Sequence, residues 1–212
     1  MKKIIFLMVL IFGLVSFGET MEITIPNANL ENKNGVITYK GKPYTGRLKA
    51  NLVDEEQGYE GFLSFNEGHF EGFSELKNEK QKVHIKFTVT NGKFDGEVIS
   101  KVPQIGETRI VFNEGKLVSE NGSFVGGTEI NLTYTPEGIV NGTMEMNDQT
   151  FNFKNGEAEL DSGKIIAKID YKKQLLIMTV LNGKTVVQKI EQPLLTVNMF
   201  EKMLFPIITS KE

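Results

Sequence analysis

The sequence predicts an all-β protein: an elongated antiparallel sheet built from repeated β-hairpins, with a short C-terminal helix. Three observations carry that expectation. Glycines that follow apolar-alternating runs recur at Gly41, Gly68, Gly92, Gly115, Gly138 and Gly156, with separations of 27, 24, 23, 23 and 18 residues. A period in the low twenties is the mark of stacked supersecondary units. The runs themselves alternate at period two, as in VHIKFTVT ahead of Gly92, which is the pattern of a half-buried strand. The turns between them end in glycine, and two are Asn-Gly, at Asn91-Gly92 and Asn155-Gly156. Asn-Gly suits a type I′ hairpin turn, where both central residues need positive φ.

The first element is a leader. Lys2-Lys3 precede an apolar run from Ile4 to Val15, and Ser16-Phe17-Gly18 places small residues at the −3 and −1 positions of a cut after Gly18. This three-part pattern predicts a signal peptide over residues 1–18 and an exported chain. No later segment approaches the ~18 apolar residues of a spanning helix, so no integral membrane span is expected once the leader is removed. Residues 19–34 read as a lead-in strand.

The hairpin array is expected over residues 35–162. Besides Asn-Gly, the turns read Asn66-Glu67-Gly68, Asn113-Glu114-Gly115 and Pro136-Glu137-Gly138, three-residue forms with glycine at the left-handed position. Flanking columns repeat as well. Tyr39, Phe65, Val89, Phe112, Tyr134 and Phe153 stand before the turns, and Tyr44, Phe70, Phe94, Leu117, Val140 and Ala158 after them. Stacked strands would align these into two apolar ladders on one sheet face. A second glycine follows in four units, at Gly46, Gly72, Gly96 and Gly142. Glycine weakens a strand unless a neighbour packs over its bare backbone, so the column aromatics are expected to cover these positions.

A conventional meander is expected over 163–191, with strands Ile165–Tyr171, Leu175–Leu181 and Thr185–Glu191 and a last hairpin at Asn182-Gly183. Pro193 then opens an amphipathic run with Val197, Phe200 and Leu204 at helical spacing, which predicts a short helix and tail over 192–212.

The segments YKGKPYTGRL, FNEGHFEG and TNGKFDGEV resemble the bacterial variant of the MORN repeat, in which an aromatic strand leads to a glycine turn and then to an aromatic–x–Gly step. The resemblance runs from about Gly35 to Leu160. The fourth unit departs from it by carrying Ser119, and the sixth by carrying Leu160, at the second glycine. The resemblance implies an elongated sheet used as a scaffold or binding surface. Members of the family are often described as antitoxin components, and the repeats themselves imply no catalysis. The leader and the lysine- and asparagine-rich composition resemble those of AT-rich anaerobic bacteria, fusobacteria among them.

Composition excludes several function classes. The chain has no cysteine, so it carries no disulfide, thiolate metal site, thiol nucleophile or lipidated leader end. Loss of Lys2 and Lys3 with the leader leaves 22 basic against 27 acidic side chains, a net charge of −5. Arg47 and Arg109 are the only arginines. A nucleic-acid partner would need a basic stripe, and none is present.

Candidate chemistry is sparse. His69 and His84 lie on strands without further ligands at metal-site spacing, which reads as ordinary strand histidines. Asp54-Glu55-Glu56 lacks the alternating pattern of a calcium loop and reads as solvated. Glu71 and Asp95 each precede a second glycine and could lie side by side as an acid–base pair, although a repeat copies surface residues without needing chemistry. Asn121, Asn131 and Asn141 begin glycosylation-type triplets, which a high asparagine content produces by chance. No nucleophile elbow or phosphate loop occurs.

The expectation is therefore an exported, non-enzymatic protein without cofactor or metal, acting as a protein-interaction scaffold or surface-binding module. Its partner would be another protein, an envelope component or a host surface component. The ladder residues Tyr39, Tyr44, Phe65, Phe70, Phe94, Phe112, Tyr134 and Phe153 are either core or binding face, since a single-layer sheet needs something to cover it. Two alternatives stand beside this: a lipid or small-ligand carrier with a curled sheet around a cavity, and an exported antitoxin- or immunity-like inhibitor.

Overall fold

Each hairpin is set by its tip. Asn34, Lys40, Glu67, Asn91, Glu114 and Asn155 have φ between 50° and 56°, and the glycine after each has φ between 70° and 82°. Two successive positive-φ residues are what a type I′ turn requires, and its twist matches that of the flanking strands. The turns at Glu67 and Glu114 are shorter than the sequence predicts. Asn66 pairs with His69 and Asn113 with Lys116, so only two residues remain in each loop. The tip at Pro136-Glu137-Gly138 does hold three, between Thr135 and Ile139.

The computed structural model describes residues 21–25, 27–50, 59–104, 106–146, 148–161 and 163–209. The predicted leader and the acidic run Asp54-Glu55-Glu56 lie outside them. The strands are β1 (Glu22–Ile25), β2 (Leu30–Lys33), β3 (Val36–Tyr39), β4 (Lys42–Pro43), β5 (Gly46–Ala50), β6 (Glu60–Asn66), β7 (His69–Phe70), β8 (Gly72–Asn78), β9 (Val83–Thr90) and β10 (Lys93–Phe94). They continue with β11 (Gly96–Val102), β12 (Gly106–Asn113), β13 (Lys116–Phe124), β14 (Thr128–Tyr134), β15 (Val140–Met146) and β16 (Gln149–Phe153). The last four are β17 (Glu157–Leu160), β18 (Gly163–Asp170), β19 (Leu175–Asn182) and β20 (Thr185–Pro193). One helix, α1 (Val197–Ile208), follows.

The main sheet runs β1-β5-β6-β8-β9-β11-β12-β13-β14-β15-β16, with β7 and β10 as short arms on β6 and β9. Its pairing is antiparallel except between β1 and β5. Thus the lead-in segment holds two short strands, of which β1 extends the main sheet and β2 joins β3 and β4 in a small separate sheet. The third sheet is β17-β18-β19-β20. The second arm of the sixth repeat, β17, therefore belongs with the meander.

A column aromatic lies over the second glycine at Gly46, where a Cβ would meet the Tyr44 hydroxyl, but at Gly72 and Gly96 the glycine has a different role from the expected one. Four residues lie between Phe70 and Glu75, opposite only two between Phe62 and Phe65. The third unit shows the same excess between Phe94 and Ile99. These are β-bulges, and Gly96 (φ 84°) stands in one with nothing within 4 Å of where a Cβ would lie. Backbone conformation, not an aromatic lid, selects glycine there. The bulge narrows to one residue in the fourth unit, between Leu117 and Ser119, and vanishes in the fifth.

Two lids cover the ladder face. Phe200 of α1 packs on Phe70, Phe87 and Phe94 at centroid distances of 6.1, 5.0 and 5.8 Å, and Phe205 on Phe65 and Phe70 at 5.9 and 5.2 Å. Aromatic pairs of this kind add about 0.5–1.5 kcal/mol each beyond area burial. Farther along, the four-stranded sheet folds back. Ala167 and Ile169 donate backbone hydrogen bonds to the turn carbonyls of Gly156 and Gly138 at 2.7 and 2.8 Å, and the Tyr171 hydroxyl donates to the Leu117 carbonyl at 3.1 Å. The helix thus packs on the second and third units, and the meander on the fourth to sixth. Helix entry also differs from expectation: Pro193 ends β20, and Thr196 caps α1 by accepting from the Met199 N–H at 3.3 Å.

Candidate functional site

The ladder residues are core. Tyr44, Phe65, Phe70, Phe94, Phe112, Tyr134 and Phe153 are buried, and Tyr39 is half-buried beside Tyr44. The Tyr44 hydroxyl sits 2.7 Å from the carbonyls of Met21 and Arg47, and burial pushes its pKa up to about 12. A partner that binds this protein must use something other than the columns.

Glu71 and Asp95 are occupied locally. Glu71 accepts from the turn N–H groups of Asn91 (3.0 Å) and Gly92 (3.3 Å), and Asp95 from that of Glu114 (3.2 Å). Thr45 does the same for Glu67 at 3.0 Å, and Asn141 for Asn155 at 2.7 Å. The residue before each second glycine thus caps the turn of a following hairpin. Its variation among Thr, Glu, Asp and Asn follows from needing only an acceptor oxygen. The turn glycines add main-chain links, with Gly68, Gly115 and Gly156 donating to the carbonyls of Tyr44, Phe94 and Val140. Gly92 instead donates to Glu71, and Gly138 closes its own turn onto the Thr135 carbonyl. Gly41 has no neighbour within 4 Å of its would-be Cβ and serves the tip conformation alone.

Each histidine lies within hydrogen-bond distance of a glutamate. His84 Nε2 lies 2.9 Å from Glu75, whose carboxyl is held below the usual range because hydrogen bonds from His84 and Lys77 outweigh its burial. His69 Nδ1 lies 3.2 Å from Glu201 on α1. Among the described residues, no three His, Asp or Glu side chains come together as a metal cluster. Asn121 and Asn131 face one another on the outer side of β13 and β14, next to Thr143 and Asn152.

No family model matches this chain, and no curated protein or solved structure matches it significantly. The site must be judged on geometry. Two features stand out. The first is β20, the last strand of its sheet, which pairs with β19 alone. All nine of its residues are exposed, with Val186 and Val187 each at 58% and Ile190 at 39%. A bulge between Val180 and Leu181 of β19 leaves Val187 outside the ladder. Edge strands usually protect themselves by being short, charged or covered. This one carries one ion pair, Lys189–Glu191, and otherwise presents Thr185, Val186, Val187, Ile190 and two glutamines before it ends at Pro193.

The second feature is Glu120, which lies on the inner face of β13 between Ile110 and Leu132 in the neighbouring strands. The Tyr134 hydroxyl donates to it at 3.1 Å. Partial burial raises its pKa, partly offset by that hydrogen bond; burial also raises the pKa of Tyr134, with the neighbouring Glu120 adding to it. Alternation counted from Leu117 points Ser119 inward and Glu120 outward. The one-residue bulge reverses this, so no sequence pattern reveals Glu120.

Proposed function

We propose that the chain is an exported, non-enzymatic binding protein that takes up an extended segment of another protein along β20. The observation that carries this reading is the nine-residue edge strand, exposed throughout and rich in β-branched side chains. Its unpaired N–H and C=O groups form a ready template for strand addition. Backbone hydrogen bonds would supply affinity, and alternate side chains on the added strand would supply selectivity. The leader-like N-terminus supports export, and the resemblance to bacterial MORN-variant repeats supports a scaffold role. Core packing of the ladder favours an edge over a face.

The test is hydrogen exchange with extended peptides selected from a displayed library. Binding should slow exchange at the amides of Thr185–Gln192 and leave the outer face of the main sheet unchanged. Val187→Lys and Ile190→Lys should weaken binding at least tenfold without lowering the melting temperature. Protection confined to other strands would overturn the reading. So would a dimer built on β20, because the occupant would then be a second copy.

A further inference from the structure

The space between the two sheets contains a carboxylate without a cation. Glu120 Oε2 receives the Tyr134 hydroxyl, and no other described side chain hydrogen-bonds or ion-pairs with this carboxylate. The other walls of the cleft around it are apolar except for Gln192: Ile110, Phe112, Leu117 and Leu176, closed by the Leu194-Leu195 strap. The cleft holds about 210 Å³, and Met199, 39% exposed, stands at its rim. A narrower extension of about 80 Å³ continues from Glu120 and Tyr134 past Leu132 and Met178. Among the described residues, the only titratable group besides Glu120 that lines either space is Tyr134.

A carboxylate half-buried among apolar side chains is poorly solvated, and a cation beside it is favoured. Among the described side chains only one hydroxyl hydrogen-bonds to it. An apolar pocket with a few convergent polar groups is the usual form of a small-ligand site. We infer that this cleft binds a small primary alkylammonium: its charged head docks on Glu120 beside Gln192, and its short aliphatic tail enters the extension past Leu132. The ammonium carries three donors, enough for the free Glu120 oxygen and the Gln192 carbonyl together. A carboxylate ligand would meet like charge in a low-dielectric space. An alcohol would hydrogen-bond to Glu120 but leave its charge uncompensated. The volume is about seven water volumes, taking roughly 30 Å³ for each. That suits a short-chain amine and is too small for a two-chain lipid. The site shares Gln192 with β20, but the amine titration reads Glu120, Leu132 and Met178 whereas strand addition reads hydrogen exchange along β20, so either can fail alone.

The experiment titrates the protein with hexylamine, 1-hexanol and hexanoate, followed by calorimetry and by methyl NMR signals of Leu132 and Met178. Hexylamine should bind at least tenfold more tightly than 1-hexanol, shift those methyls and lose affinity as pH falls and Glu120 takes up a proton. Glu120→Gln should remove the preference for the amine while melting at or above the wild-type temperature, which separates lost binding from lost folding. Equal affinity for amine and alcohol, tighter binding of hexanoate, or an amine preference that survives in Glu120→Gln would each overturn the assignment.

Discussion

Glu201 Oε1 accepts a hydrogen bond from the Phe70 backbone N–H at 2.9 Å, joining the C-terminal helix to the tip of a hairpin 131 residues earlier. Glu201 is 7% exposed, and its other oxygen faces His69. The contact fixes which turn of α1 sits over Phe70 and so places Phe200 and Phe205 on the ladder. Glu201→Ala leaves the Phe70 N–H without a partner and should cost about 1–3 kcal/mol. Glu201→Gln keeps an acceptor and should cost less than about 1 kcal/mol. Urea midpoints at constant m-value report both.

The caps on the turns give a second expectation. Asp95→Ala removes the acceptor for the Glu114 N–H and should destabilise by about 1 kcal/mol. Asp95→Asn keeps the oxygen and should fall within about 0.5 kcal/mol of the parent, as Asn and Asp do at helix caps. If the charge itself mattered, as in acid–base chemistry, Asp95→Asn would be as damaging as Asp95→Ala. Thermal unfolding of the two variants separates these roles.

The repeat was legible because type I′ turns, period-two strands and apolar columns all depend on local residue choice, and Gly92 or Phe94 announces them directly. The meander strands were legible for the same reason. What covers Phe70 or Phe94 was not, because the contact with Phe200 joins residues more than a hundred positions apart and no local pattern encodes it. Glu120 was hidden by a bulge that shifts strand parity. The exposure of β20 was hidden because an edge strand and an internal strand share one alternating pattern until the sheet order is known.

Turn chemistry yields a stabilising change. Glu114 holds φ at 50°, a left-handed value that asparagine tolerates better than glutamate. Its backbone N–H, not its side chain, makes the bond to Asp95. Glu114→Asn should therefore keep the cap and stabilise the fold by about 0.5–1 kcal/mol. A melting temperature raised by a few degrees would show this, and a lowered one would mean that the glutamate side chain has a role of its own.

Gly96 tests whether conformation or covering selects the second glycine. Nothing lies within 4 Å of its would-be Cβ, yet φ is 84°. Gly96→Ala should then cost about 1–2 kcal/mol through backbone strain alone. Gly46→Ala should cost more, because its Cβ would meet the Met21 carbonyl oxygen in addition to a φ of 146°. Equal stability of Gly96→Ala and the parent would show that the bulge relaxes freely.

Partial burial of Glu120 among apolar neighbours predicts the shape of the stability–pH curve. Its pKa is raised by folding, so the folded state binds this proton more tightly than the unfolded chain. That contribution is complete below the ordinary glutamate value and is lost as pH rises through the folded value. Glutamine lacks the charge and its desolvation penalty. Glu120→Gln should therefore be more stable than the parent at neutral pH, and the gap should shrink steadily as pH falls through the raised pKa. The opposite trend belongs to Glu75 and Glu107, whose pKa values are lowered by partners and which lose stabilisation on acidification. Because Glu120→Gln leaves those two groups untouched, the difference between the two unfolding curves isolates the Glu120 carboxylate. A difference independent of pH would mean that Glu120 titrates alike in the folded and unfolded chain, and that the cleft is wet enough to solvate its charge.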